Sequence, residues 1–119
     1  MSLKNLLYTA THSRDRRRHV RLRPKGDAYV RIDGRDYPLH DWSPDGLLIH
    51  PYRGGLIVNQ KAKVEAVIRD IQAPDGMLRL NGIVLVTRID DKGLAARWLM
   101  MPPNHKEKLL RYYARKPKA

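Results

Sequence analysis

The sequence predicts a mainly β domain: a six-stranded antiparallel barrel or sandwich with a C-terminal α-helix and a flexible basic N-terminal segment. Three observations predict this fold. Apolar and polar residues alternate with a period of two from residue 27 onward. Short turn sequences separate the alternating stretches, and no crossover helix interrupts them. With 119 residues the chain has room for one modest core, and closing the sheet into a split barrel would remove its unpaired edges.

The first two strands are predicted to form a hairpin. Alternate residues of "AYVRI" are apolar, and the Asp33-Gly34 dipeptide that follows favours a type I′ two-residue turn. The returning strand, "RDYPLHDW", contains Pro38, which has no N–H to donate to a neighbouring strand. We therefore expect Pro38 at a sheet edge or a bulge.

Four further strands follow along the chain. They are "GLLIHP", "KAKVEAVIRD", "MLRLNGIVLVTRI" and "LAARWLMM". In the second of these the alternation directs four residues towards the core, Ala62, Val64, Ala66 and Ile68. In the third, Asn81-Gly82 interrupts a long apolar run, and we expect a β-bulge there.

Both ends of the chain carry helical patterns. Residues 26–119 hold the barrel and its C-terminal helix, which is expected at about residues 104–116, with Asn104 as N-cap and Glu107 as the acid of a capping box. Its apolar stripe comprises Leu109, Leu110, Tyr112 and Tyr113. In residues 1–13 the spacing of the leucines predicts a short helix, with a frayed tail as the alternative.

The charge is strongly positive and uneven. The formal net charge is +12, which favours an anionic partner such as a nucleotide, a nucleic acid, an acidic lipid or an acidic protein. Residues 14–25, "RDRRRHVRLRPK", hold seven Arg or Lys and one acid. No segment approaches the ~20 apolar residues of a membrane span, and no signal peptide is recognised. The expected location is therefore the cytoplasm, either as a whole protein or as a module of a larger one.

The sequence offers little to support catalysis. It contains no cysteine, and its five histidines are not paired at the spacing of metal ligands. It has no Gly-rich phosphate loop and no Ser in a nucleophile-elbow context. We therefore expect no enzyme activity, no metal and no cofactor.

A recognition site is suggested by two short patterns. Arg17 and Arg21 have the spacing R-x-x-x-R, and "DWSPDG" places Asp41, Ser43 and Gly46 in a D-x-S-x-x-G pattern about twenty residues later. An arginine fork pairs with phosphate or with the O6/N7 edge of guanine. A carboxylate accepts the adjacent N1–H and N2–H₂ donors of guanine. Together these residues suit a ligand that contains both phosphate and guanine.

The two patterns, with a hairpin between them, resemble the signature of the PilZ domain family, bacterial receptors for the second messenger cyclic di-GMP. Arg17, Arg21, Asp41, Ser43 and Gly46 match its signature positions. The resemblance extends from residue 14 to the C-terminus. It implies that the two arginines wrap the ligand, that Asp41 and Ser43 hold a guanine, and that Gly46 shapes the loop.

The resemblance also bears on residues near the signature. Arg16 precedes the first motif, and an arginine there goes with binding an intercalated ligand dimer. His19 and Trp98 are weaker candidates for ligand contact, since His19 suits a spacer and Trp98 suits the core. Trp42 is expected in the core.

The proposed signal is an ordering of residues 14–25 when ligand phosphates neutralise their charge, which a protein partner or a fused output domain would detect. The alternative function is binding of single-stranded nucleic acid by a small barrel. It is less favoured, because the aromatic residues are not grouped into a base-stacking surface.

Overall fold

Six strands close into an antiparallel barrel in the computed structural model, which describes residues 20–24, 26–69 and 76–116. The strands are β1 (Ala28–Ile32), β2 (Arg35–Ser43), β3 (Gly46–Ile49), β4 (Lys61–Arg69), β5 (Met77–Asp90) and β6 (Gly93–Met100), and one helix follows, α1 (Pro103–Arg115). Their order around the barrel is β1-β2-β3-β6-β5-β4, and β4 pairs with β1 to complete the ring. The mainly β barrel predicted from the sequence is confirmed, and the sandwich alternative is not formed.

Several predictions fall on residues outside the described ranges. These are the short helix within residues 1–13 and the greater part of residues 14–25, including Arg16, Arg17 and His19. Within the described part of the chain, no helix is long and apolar enough to cross a membrane.

The hairpin between β1 and β2 forms as the sequence predicts. Asp33 and Gly34 have φ angles of 52° and 79°, the left-handed values that a type I′ turn requires. The turn sets the register in which Ile32 pairs with Arg35 and Tyr29 with Pro38. Pro38 lies just before a register shift between Leu39 and Asp41 in the pairing of β2 with β3. Pro38 therefore lies next to a bulge. It does not lie on an edge strand, because the barrel is closed.

The core fills the barrel and continues under the helix. Each strand contributes apolar side chains, with Val30, Ile49 and Val86 fully buried. In β4, Val64, Ala66 and Ile68 are buried as predicted, while Ala62 is half-buried. Helix α1 contributes its buried face, Leu109, Tyr112 and Tyr113, to the same cluster. Burial at ~25 cal/mol per Å² of apolar surface is the main force that holds barrel and helix together.

The predicted N-cap of the helix is wrong. Helix α1 begins at Pro103, and its N-cap is Pro102, which has no polar side-chain group. The carbonyl oxygen of Pro102 accepts bonds from the N–H groups of His105 and Lys106. Proline suits the first helical position because its fixed φ is already helical and it has no N–H to leave unpaired. Glu107, freed from capping, pairs instead with Arg111 one turn later, at 3.0 Å.

The predicted bulge at Asn81-Gly82 is also wrong. The pairing of β5 with β4 continues without a break through both residues. Pairing of β5 with β6 shifts later, between Ile83 and Val84 and between Val86 and Arg88. Gly82 is required for a different reason. A Cβ there would lie 2.5 Å from the carbonyl oxygen of Met100 and 2.8 Å from the ring of Trp98.

We expect Gly82→Ala to lower the free energy of unfolding by about 1–3 kcal/mol, since the added methyl group meets the backbone of β6. Urea unfolding followed by circular dichroism measures the change. Gly55→Ala is the matched control: within the described part of the chain, no atom beyond Gly55 and its two sequence neighbours lies within 4 Å of its Cβ position. It should change stability by less than about 0.5 kcal/mol. Equal effects of the two substitutions would contradict the close approach of β6 to Gly82.

Candidate ligand-binding site

The candidate site lies where the basic segment meets the outer edge of β2. Strand β1 pairs with residues 35–38 of β2, so the later part of β2 has its backbone open on that side. Leu22 takes this place. Its N–H donates to the carbonyl of Trp42 at 2.8 Å, and the N–H of Trp42 donates to the carbonyl of Leu22 at 2.9 Å. This bridge fixes the end of the basic segment against β2.

Helix α1 holds the same segment from the other side. The hydroxyl of Tyr113 donates to the carbonyl oxygen of Val20 at 2.6 Å. Burial raises the pKa of Tyr113, so the hydroxyl keeps its proton and can donate. The sequence pattern gave Tyr113 a core role alone. No local signal indicates that its hydroxyl reaches a carbonyl 93 positions earlier in the chain.

Trp42 lies inside the barrel beneath this bridge. Its side chain is 4% exposed, which confirms the expectation that it belongs to the core. The Trp42 ring stacks on Tyr112 with 5.5 Å between ring centroids and meets Tyr113 edge-on at 5.8 Å. The residue that pairs with the basic segment through its backbone is thus anchored by the helix through its side chain.

Arg21 and Asp41, one from each sequence pattern, form an ion pair on the outer surface. Nη1 of Arg21 donates to Oδ1 of Asp41 at 3.1 Å, and the two side chains are 21% and 16% exposed. Nδ1 of His40 lies 2.9 Å from the other carboxylate oxygen, Oδ2. Nε of Arg21 is buried and has no acceptor among residues 20–24, 26–69 and 76–116. The arrangement combines a carboxylate held at both oxygens with a guanidinium that has an unused donor.

Ser43 and Gly46 lie at the turn between β2 and β3. Ser43 is 1% exposed, and its Oγ accepts the backbone N–H of Asp45 at 3.2 Å. Gly46 is buried, and a Cβ there would lie 2.3 Å from the carbonyl oxygen of Ala96. Both residues therefore fix the path of the turn that follows Asp41.

Trp98 lies on the far side of that turn. Its backbone N–H donates to the carbonyl of Asp45 at 2.9 Å, and its half-buried ring packs against the core. It lines an open groove of about 610 Å³ between β6 and helix α1. Within the described ranges, no group of three or more His, Asp or Glu side chains is placed to hold a metal ion.

Comparison with known proteins gives a likeness to a solved structure. No family model matches the sequence, and no curated protein matches it. Among solved structures, the chain is similar to the Bacillus subtilis inhibitor of motility, MotI/DgrA, with a TM-score of 0.65 and 16% identity. The match covers 85% of this chain and 50% of that protein, so the chain spans about half of its length. At this identity the likeness shows the fold alone. It supports a PilZ-like fold.

We expect Tyr113→Phe to lower the free energy of unfolding by about 1 kcal/mol, because the carbonyl of Val20 loses its buried donor. The amide proton of Leu22 should exchange faster with solvent, since the bridge to Trp42 is then held from one side. Hydrogen exchange followed by NMR measures this rate. Tyr29→Phe, which removes a hydroxyl from β1, is the control and should leave it unchanged. An unaltered Leu22 rate in Tyr113→Phe would disprove the link between helix and segment.

Proposed function

We propose that this protein is a receptor for cyclic di-GMP and acts by binding alone. The observation that supports this most directly is the Arg21–Asp41 ion pair. It joins the R-x-x-x-R and D-x-S-x-x-G patterns at one place on the barrel surface. A cationic group that prefers phosphate and a carboxylate that suits the guanine edge are then within reach of a single ligand.

In the proposed complex the two groups divide the ligand between them. Arg16, Arg17 and Arg21 contact the phosphates and the O6/N7 edge of guanine. Asp41 accepts the N1–H and N2–H₂ donors, because each carboxylate oxygen can accept a further bond beyond the one it makes with Arg21 or His40. The buried turn at Ser43 and Gly46 holds Asp41 in place, so the guanine contact proposed for Ser43 would require this turn to open on binding. His19 and Trp98 are secondary candidates.

The positive charge of residues 14–25 favours more than one ligand molecule per site. Arg16 adds a further guanidinium directly before the first motif, and a pair of intercalated ligands brings twice the phosphate charge of one. Like charges this close repel one another, and bound phosphates remove the repulsion.

The proposed output is an ordering of the basic segment against the barrel. Its end is already held by Leu22 and Val20, so neutralised residues before it have a fixed point from which to fold. A protein partner, or an output domain in the same cytoplasmic chain, then recognises the ordered surface.

The alternative, binding of single-stranded nucleic acid, needs exposed aromatic rings on which bases stack. The rings of Trp42, Tyr112 and Tyr113 are buried against one another. Tyr37 and Tyr52 pack together with 4.9 Å between centroids. These contacts favour the receptor over the nucleic-acid binder.

A ligand that binds the folded state raises its melting temperature. Cyclic di-GMP at about 100 times its Kd should add ~2.7 kcal/mol of stability, which is roughly 10 °C or more for a domain of this size. Thermal-shift assays with GMP and with a single-stranded oligonucleotide provide the comparison, and both should have much smaller effects. A larger, strongly salt-dependent shift with the oligonucleotide would support the alternative function instead.

Substitution of Arg21 and substitution of Asp41 should weaken ligand binding to different extents. Arg21→Ala should weaken binding by roughly 100-fold or more, because it removes a phosphate-binding cation and leaves the Asp41 carboxylate without its partner. Asp41→Ala should weaken binding by about 10-fold and reduce the preference for guanine. Isothermal titration calorimetry measures both. Arg31→Ala is the matched control, because Arg31 pairs with Asp36 at 2.7 Å on an exposed part of β1 and β2. Wild-type affinity in Arg21→Ala would refute the site.

A further inference from the structure

Strand β2 breaks its inside–outside alternation beside Asp41. Leu39 and Trp42 both point into the core, although they are three residues apart, whereas a regular strand repeats every two. The register with β3 moves from Leu39↔Ile49 to Asp41↔Leu48. This shift leaves His40 as the extra residue of a β-bulge.

The bulge places His40 and Asp41 together on the outer side of the strand. Both are half-buried, and Nδ1 of His40 lies 2.9 Å from Oδ2 of Asp41. A carboxylate oxygen can only accept a hydrogen bond, so Nδ1 must carry the proton in this contact. The His40 ring lies edge-on to the ring of His50, at 6.1 Å between centroids, and its contact with Asp41 is made by Nδ1.

Asp41 is therefore restrained at both of its oxygens. Arg21 holds Oδ1 and His40 holds Oδ2, so rotation of the carboxylate about its terminal bond breaks one contact or the other. Guanine offers two donors side by side, N1–H and N2–H₂, and accepting both requires the two oxygens to stay in one orientation. Restraint before binding lowers the cost of reaching that orientation.

We propose that His40 is a positioning residue that sets guanine specificity through Asp41. This inference rests on the proposed function. It adds a residue that neither sequence pattern contains, brought to the site by the bulge. Without His40 the carboxylate turns about the Arg21 contact and accepts one guanine donor at a time.

The test compares cyclic di-GMP with cyclic di-inosine monophosphate, whose hypoxanthine bases keep N1–H and lack the N2 amino group. Titration calorimetry on the wild-type protein should show a preference for the guanine ligand of about 10-fold or more. His40→Leu should weaken cyclic di-GMP binding by roughly 5–10-fold, affect the inosine ligand less, and so shrink the preference. His40→Asn, whose amide N–H₂ can replace the Nδ1 donor, should restore most of it.

His50→Leu is the matched control, since it removes the neighbouring imidazole and leaves the His40–Asp41 contact in place. It should keep the wild-type preference, and circular dichroism confirms that each variant is folded. The inference is overturned if His40→Leu retains the wild-type preference, or if it weakens both ligands equally while His40→Asn gives no rescue.

A second measurement needs no ligand. Nitrogen-15 NMR of the imidazoles should show the His40 proton on Nδ1 in the wild-type protein and a different tautomer balance in Asp41→Ala. An unchanged balance would disprove the positioning contact whatever the ligand.

If wild-type protein does not bind cyclic di-GMP, the proposed function fails and, with it, the specificity role, even where NMR confirms the contact. If it binds and His40→Leu behaves as wild type, the inference alone fails.

Discussion

Strand β1 pairs with β2 only as far as Pro38, so the later backbone N–H and C=O groups of β2 need another partner on that side. Much of the candidate site follows from this constraint. Buried N–H and C=O groups must be paired, and a barrel this small has no spare strand to offer. Leu22 supplies the missing pair to Trp42. Once that antiparallel bridge forms, Arg21 and Asp41 lie diagonally across it, on the face opposite to Leu22 and Trp42, and the long Arg21 side chain reaches the Asp41 carboxylate. The ion pair is thus a consequence of satisfying a strand edge, and the basic segment is part of the sheet at that one place.

The signature positions serve two different physical ends. Arg21 and Asp41 present charge at the surface, whereas Ser43 and Gly46 are buried and determine the shape of the next turn. A hydroxyl that accepts Asp45 N–H, and a glycine close to the carbonyl of Ala96, keep the carboxylate from moving with a loose loop. The charged recognition group and the buried residues that support it therefore lie within one six-residue stretch.

Sequence patterns correctly predicted those features that depend on neighbouring residues alone. The barrel, the type I′ turn at Asp33-Gly34 and the buried Trp42 follow from period-two alternation and from turn chemistry. The predicted helix start was wrong because Asn104 was taken as the N-cap, whereas Pro103 already occupies the first helical position. The tight packing at Gly82 and the outward position of His40 depend on how distant strands align. The sequence contains that register only implicitly, so neither could be predicted from spacing.

The hydrogen bond from Tyr113 to Val20 links the helix to the basic segment, so we expect the stabilities of the two to be coupled. A molecule that displaced the helix would have to change the free energy of the segment that borders the proposed ligand site. By the reciprocity of coupled equilibria, whatever factor such a molecule imposed on ligand affinity, the ligand would impose on the molecule in return. This coupling does not require the strands of the barrel to change position. One hydroxyl and the aromatic stack beneath it thus couple the C-terminal helix to the basic segment near the start of the barrel.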